Sequence, residues 1–160
     1  MARRRQFLGS LAGAVTAGSL AGCAGESATT TERTYPAYTD VPNSVQTFLS
    51  NTSNFDGSGV DATDATEVSV TVGAPGNGSN WAFAPAVVAV STGTTVVWQW
   101  NGKGGAHNVV SAADREPLDS GAAVPSDSAT YEYTFQNPGA YRYVCIPHRA
   151  YGMKGAVLVE

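Results

Sequence analysis

The sequence predicts an all-β domain built as a two-sheet antiparallel sandwich with Greek-key connections. Three observations support this prediction. From Glu67 onward, apolar side chains alternate with polar ones over most of the chain, which is the period of a half-buried strand. The 160 residues include 18 Gly and 8 Pro, which separate these stretches as turns. Charged residues make up only 14% of the chain, which is atypical of helical bundles and coiled coils.

The elements follow from local patterns along the chain. Val45, Phe48 and Leu49 have the i, i+3, i+4 spacing of one helix face, so a short helical turn is expected before a turn at 56–59. Glycines at 73–78 are expected to end the first strand, and Asn-Pro-Gly at 137–139 predicts a later turn. The strands are expected at 68–72, 81–83, 87–90, 94–101, 131–135, 141–145 and 156–159.

The N-terminus has the pattern of an export signal. Arginines precede a run of about 15 apolar and small residues, which is short for a membrane span of about 20. Arg-Arg-Gln-Phe-Leu at 4–8 resembles a twin-arginine signal, and Leu-Ala-Gly-Cys at 20–23 resembles a lipoprotein cleavage box with lipid attached to Cys23. A plain secretory signal and an uncleaved anchor are the alternatives. The predicted organisation is a signal peptide at 1–22, a flexible Ser/Thr-rich stalk at 23–40 and a folded domain at 41–160.

Charge and cysteine content exclude several classes of function. The formal net charge is −4, and beyond residue 22 there are six basic against thirteen acidic side chains. An acidic domain with few basic residues has no basic patch that could displace counterions from phosphates. We therefore expect no nucleic-acid partner. Two cysteines cannot form a disulfide framework, and two histidines cannot build a large metal cluster.

One short motif predicts a metal site. Cys145, His148 and Met153 lie within nine residues, and His107 stands 38 residues before the cysteine. A thiolate, two imidazoles and a thioether match the ligand set of a blue-copper electron-transfer site. Cys145 is expected to end one strand and His107 another, so that the site joins the two sheets at one end of the sandwich.

Each of these residues also has an ordinary structural interpretation. A lone Cys is commonly a small buried hydrophobe, a lone Met fills a core, and a lone His hydrogen-bonds a loop. The combination favours copper, because both histidines, the one Cys beyond the N-terminal region and the one internal Met all fall into the same pattern. Zinc also binds Cys and His, but its sites seldom include a thioether.

These motifs resemble those of the plastocyanin/azurin-type cupredoxins, and within them the halocyanin group. The resemblance rests on Gly-Lys-Gly-Gly-Ala-His-Asn-Val-Val at 102–110 and on the segment 141–155, and it covers about residues 41–160. It implies a cupredoxin-like sandwich with one type 1 copper held by His107, Cys145, His148 and Met153. It also implies that Asn108 ties the two ligand loops together and tunes the thiolate.

The predicted function is that of a single-electron carrier, and the protein is not expected to be an enzyme. We expect it to lie at the outer face of the cytoplasmic membrane, attached through lipid on Cys23. The expected partners are membrane-bound respiratory redox proteins, and a monomer is expected. The resemblance implies that the ring edge of His148 passes the electron. A copper enzyme, a copper store and an inert surface lipoprotein are the alternatives; the enzyme would need a second copper bound by further histidines, which the chain lacks.

Overall fold

The computed structural model describes residues 34–113 and 117–160. The predicted signal peptide, Cys23 and most of the predicted stalk therefore lie outside the described residues. In chain order the elements are β1 (Ala37–Tyr38), α1 (Asn43–Phe48), β2 (Gly59–Asp61), β3 (Glu67–Gly76), β4 (Ser79–Ala84), β5 (Val87–Val90), β6 (Thr95–Trp100), β7 (Val110–Ser111), β8 (Thr130–Thr134), β9 (Gly139–Val144), a 3-10 helix (Ile146–Tyr151) and β10 (Lys154–Val159).

Two sheets enclose the main core, and the all-β prediction is confirmed. One sheet has six strands in the order β1-β2-β5-β10-β9-β7, and the other has four in the order β4-β3-β6-β8. The largest fully buried side chains between them are aromatic, namely Phe83, Trp98, Phe135 and Tyr143. Each of these rings buries a large apolar area, and this burial favours the folded state.

The sheets are mixed, so the prediction of an antiparallel sandwich is wrong at three of the strand pairs. Strand β5 runs parallel to both β2 and β10, and β3 runs parallel to β6. The chain crosses between the sheets and returns beside an earlier strand in the same direction. Alternation of apolar residues reports which face of a strand is buried, and it carries no information about the direction of the neighbouring strand.

The N-terminal segment packs on the outer face of the six-stranded sheet. The predicted helical turn is confirmed as α1. Val45 from this helix and Leu49 directly after it form a second core with Val87 on β5 and Leu158 on β10. Strand β5 is consequently buried on both faces. No helix among the described residues has the length and hydrophobicity of a membrane span.

Two predicted boundaries need correction. Tyr38, assigned to the flexible stalk, lies in β1, which pairs with β2, and its hydroxyl donates to Glu160 at 2.7 Å. Strand β3 continues past Gly73 through a bulge, and the chain reverses at Asn77 and Gly78. Both of these residues have positive φ, as a type I′ hairpin turn requires.

Candidate metal centre

The loop after β9 carries three of the four predicted ligands. Cys145 follows β9 directly and precedes the 3-10 helix, His148 lies on that helix, and Gly152 with φ of 102° follows its last residue. The His148 amide donates to the Cys145 carbonyl at 3.1 Å, the Met153 amide donates to the His148 carbonyl at 3.2 Å, and the Cys145 amide donates to the Met153 carbonyl at 3.1 Å. The loop therefore returns Met153 to the side of Cys145, where both side chains are fully buried.

The fourth predicted ligand, His107, comes from the segment between β6 and β7. Its backbone pairs with Val124, and its Nε2 lies 2.8 Å from the Lys103 carbonyl oxygen. Because a carbonyl can only accept, Nε2 carries the proton and Nδ1 keeps its lone pair. A side chain at Gly104 would place a Cβ 2.9 Å from Nε2, so only glycine leaves room for this ring.

Both ligand segments belong to the six-stranded sheet. His107 leads into β7, and β7 pairs with β9, which leads into Cys145. The prediction that the ligand strands come from different sheets is therefore wrong. The four-stranded sheet reaches the site through side chains, since the Trp100 indole on β6 donates to the His107 carbonyl at 3.0 Å.

Three donor atoms converge on one point. The Cys145 Sγ lies 3.6 Å from His107 Nδ1 and 3.5 Å from His148 Nδ1, and the two Nδ1 atoms are 3.1 Å apart. All three atoms lie within 4.8 Å of one another. Two imidazole nitrogens and one thiol sulfur at this separation fit a metal ion that accepts soft and borderline ligands.

The surroundings shift the pKa of each of these three groups toward its uncharged form. Burial lowers the pKa of His107, against the effect of its hydrogen bond to Lys103. Burial and the neighbouring His107 lower the pKa of His148. Burial raises the pKa of the Cys145 thiol, while the backbone N–H groups of Asn108 and His148 act in the opposite direction. Neutral imidazoles are ready ligands, and metal binding would displace the thiol proton.

Comparison with protein families identifies the chain. Residues 68–160 match the model for "Copper binding proteins, plastocyanin/azurin family". The chain belongs to the plastocyanin/azurin family of copper-binding proteins. Within this cupredoxin, His107, Cys145, His148 and Met153 are arranged as a type 1 copper site.

Curated relatives agree with this assignment. Halocyanin of Natronomonas pharaonis is 41% identical over 160 residues, which cover 98% of this chain and 97% of the relative. Plastocyanin of Scenedesmus fuscus is 34% identical over 85 residues, covering 49% of this chain and 86% of the relative. Among solved structures, oxidised plastocyanin from Dryopteris crassirhizoma has 26% identity and a TM-score of 0.46, with 58% of this chain and 100% of that one covered.

Asn108 connects the two ligand segments of this cupredoxin. Its Oδ1 accepts from the Ile146 amide at 2.9 Å, directly after Cys145, and its Nδ2 donates to the Gly121 carbonyl at 3.0 Å. Side-chain amides that hydrogen-bond on both sides hold adjacent ligands in place. The further role in tuning the thiolate stays a prediction.

Sequence reasoning missed the role of Trp81. Its indole stacks on the His148 ring, with ring centroids 4.9 Å apart and an angle of 14° between the planes. The centroid of the Tyr151 ring lies 4.8 Å from that of the indole. The indole nitrogen donates to the Gly104 carbonyl at 2.9 Å. Trp81 therefore supports both histidine-bearing loops of this cupredoxin from β4. The sequence pattern predicts only that Trp81 lies in a strand, and no spacing in the sequence predicts its contact with His148.

Proposed function

We propose that this protein carries single electrons between redox partners and catalyses no reaction. The observation that supports this most directly is the convergence of one thiol and two neutral imidazoles beside a buried thioether residue. Copper bound by such a set exchanges one electron with little change in geometry. The family to which the chain belongs is consistent with that chemistry.

The residues of the chain prepare the site before any metal enters. His107 is held by hydrogen bonds with Lys103 and Trp100, and the residue is 1% exposed. Cys145 and Met153 are held by each other's backbone. Because these partners already fix the donors, a change of charge at the site requires little movement of the protein, which favours fast electron exchange.

The surface around His148 suits brief contacts with a partner. His148 is half-buried, and its neighbours Ile146 and Tyr151 are 45% and 58% exposed. The one other exposed large hydrophobic side chain of residues 34–113 and 117–160 is Val124, which pairs with His107. An apolar patch of this kind over a ligand permits docking through a small interface that dissociates quickly. We propose membrane-bound respiratory redox proteins as the donor and acceptor.

A copper enzyme is the first alternative. A second, catalytic copper is bound largely by additional histidines, and both histidines of the chain already lie in the site described here. A copper store is the second alternative, because the same donors could bind copper without exchanging electrons. Substitution of Met153 distinguishes a copper store from an electron carrier.

Voltammetry of the copper-loaded protein tests the proposed function. We expect a strong visible absorption band and a reversible one-electron wave from protein immobilised on an electrode. The metal-free protein is the control and should show neither. A copper-loaded protein that is fully occupied but gives no reversible wave would contradict the role of carrier.

The site of action is proposed from the N-terminal sequence. We propose that Cys23 carries lipid and holds the domain at the outer face of the cytoplasmic membrane. Replacing Cys23 with serine should move the protein from the membrane fraction to the soluble fraction, as judged by fractionation and immunoblotting. Cys145→Ser keeps Cys23 and is the matched control, which should stay with the membranes. If the Cys23→Ser protein still fractionates wholly with membranes, an uncleaved anchor is the correct reading.

A further inference from the structure

We infer that the segment 51–54 is a positioning element for the copper loop, and that Thr52 sets the position of Met153 through the carbonyl of Gly152. This segment follows α1 and lies outside the residues that match the family model. The inference rests on the proposed function, in which Met153 is the axial ligand.

The Gly152 carbonyl, one peptide unit before Met153, is fixed by two donors. The Thr52 hydroxyl donates to it at 2.9 Å, and the Asn77 side-chain amide donates to it at 3.0 Å. Both acceptor positions of this oxygen are therefore filled. Thr52 is only 4% exposed and is separated from Gly152 by 100 residues of sequence.

The backbone of Gly152 is also pressed against the segment. A Cβ on Gly152 would clash with the Asn51 carbonyl oxygen and would lie 2.7 Å from Asn77 Oδ1. With its φ of 102°, Gly152 occupies a conformation and a space that a larger residue could not share. The close approach leaves the chain little freedom to shift at this point.

The same segment also binds Lys154, the residue that follows Met153. The Lys154 ammonium donates to Asn51 Oδ1 at 2.7 Å and to the Phe48 carbonyl at 3.1 Å. Met153 therefore lies between two residues that are both tied to the segment after α1. The amide of Met153 donates to the His148 carbonyl and its carbonyl accepts from the Cys145 amide, so both polar backbone atoms of Met153 are paired.

The segment is itself anchored to the rest of the domain. The Thr52 amide donates to the carbonyl of Leu49, which is buried in the second core. Ser53 exchanges hydrogen bonds with Asn77, its amide donating at 2.8 Å and its hydroxyl accepting at 2.6 Å. A rigid support of this kind transmits position to the loop that it contacts.

Positioning matters here because the axial bond is weak. A thioether ligand would supply too little energy to move the backbone, so the hydrogen bonds of this loop would determine how close the Met153 sulfur comes to a bound copper. The hydrogen bond from Thr52 to the Gly152 carbonyl can therefore influence the metal site, although Thr52 is not a ligand.

Thr52→Val tests the inference, because valine keeps the shape of threonine and removes the hydroxyl. The matched control is Thr47→Val, the same change at an exposed position of α1. In the metal-free protein we expect amide hydrogen exchange at Met153 and Cys145 to become about fivefold faster in Thr52→Val and to stay unchanged in the control. Thr52→Ser, which retains the hydroxyl, should restore slow exchange.

The copper-loaded proteins provide the second readout. Thr52→Val should shift the midpoint potential, as expected for an altered axial distance, whereas Thr47→Val and Thr52→Ser should leave it in place. The inference would be overturned if amide exchange at Met153 were unchanged in Thr52→Val, or if exchange became faster equally in all the β-strands. In either case, a reversible one-electron wave from the wild-type protein would still support the proposed function. Absence of that wave would contradict the function, and the exchange data would still decide whether Thr52 positions the loop.

Discussion

Cys145→Ser should abolish the intense visible absorption of the copper-loaded protein and leave the sandwich folded. Cys145 is the one cysteine of the predicted mature domain apart from the N-terminal Cys23, so no other thiolate can replace it. The band arises from the bond between thiolate and copper, and a serine hydroxyl at neutral pH is neither charged nor soft. We expect the loss to be nearly complete, as measured by absorbance at matched copper content.

The fold should survive this substitution because the change in volume is small. Cys145 is fully buried, so a serine hydroxyl without a partner would cost about 1–3 kcal/mol of unfolding free energy. Far-ultraviolet circular dichroism should therefore match that of the wild type. Cys23→Ser is the control and should keep its colour. A Cys145→Ser protein that remained as blue as the wild type would remove the thiolate from the proposed ligand set.

The strands could be predicted because their faces differ. Val68, Val70 and Val72 are buried on β3 while the residues between them are exposed, and this alternation is visible in the sequence. Strand β5 was visible as an unbroken apolar run, but the reason for that run was not, since it depends on α1 covering the outer face. Strand direction depends on which distant segments become neighbours, and local patterns do not contain that information.

The donor atoms could be predicted because they are chemically rare in this chain. Two histidines and one cysteine in the folded domain leave few ways to build a soft metal site, and the spacing around Pro147 brings two of them onto one loop. Trp81 and Thr52 could not be found in this way. Tryptophan in a strand and threonine after a helix are ordinary residues, and their importance comes from contacts with His148 and Gly152 across the fold.

Met153→Leu should raise the midpoint potential and leave the fold intact. Leucine has nearly the volume of methionine, and such exchanges in a core usually cost less than about 1.5 kcal/mol. The thioether donates electron density that favours the oxidised metal somewhat, so its removal favours the reduced one. A tenfold change in relative affinity for the two oxidation states corresponds to about 59 mV, and we expect a shift of this size or more in protein-film voltammetry.

Met153→Gln provides the opposite change at the same position and separates an electron carrier from a copper store. An amide oxygen is a harder donor than a thioether and should lower the potential, so the three proteins should order as Gln, Met, Leu from low to high. A store depends on affinity, to which the weak axial group adds little, so neither substitution would matter for storage. If both variants keep the wild-type potential, Met153 does not act on the metal, although its full burial and its hydrogen bonds to Cys145 and His148 would still make it part of the core.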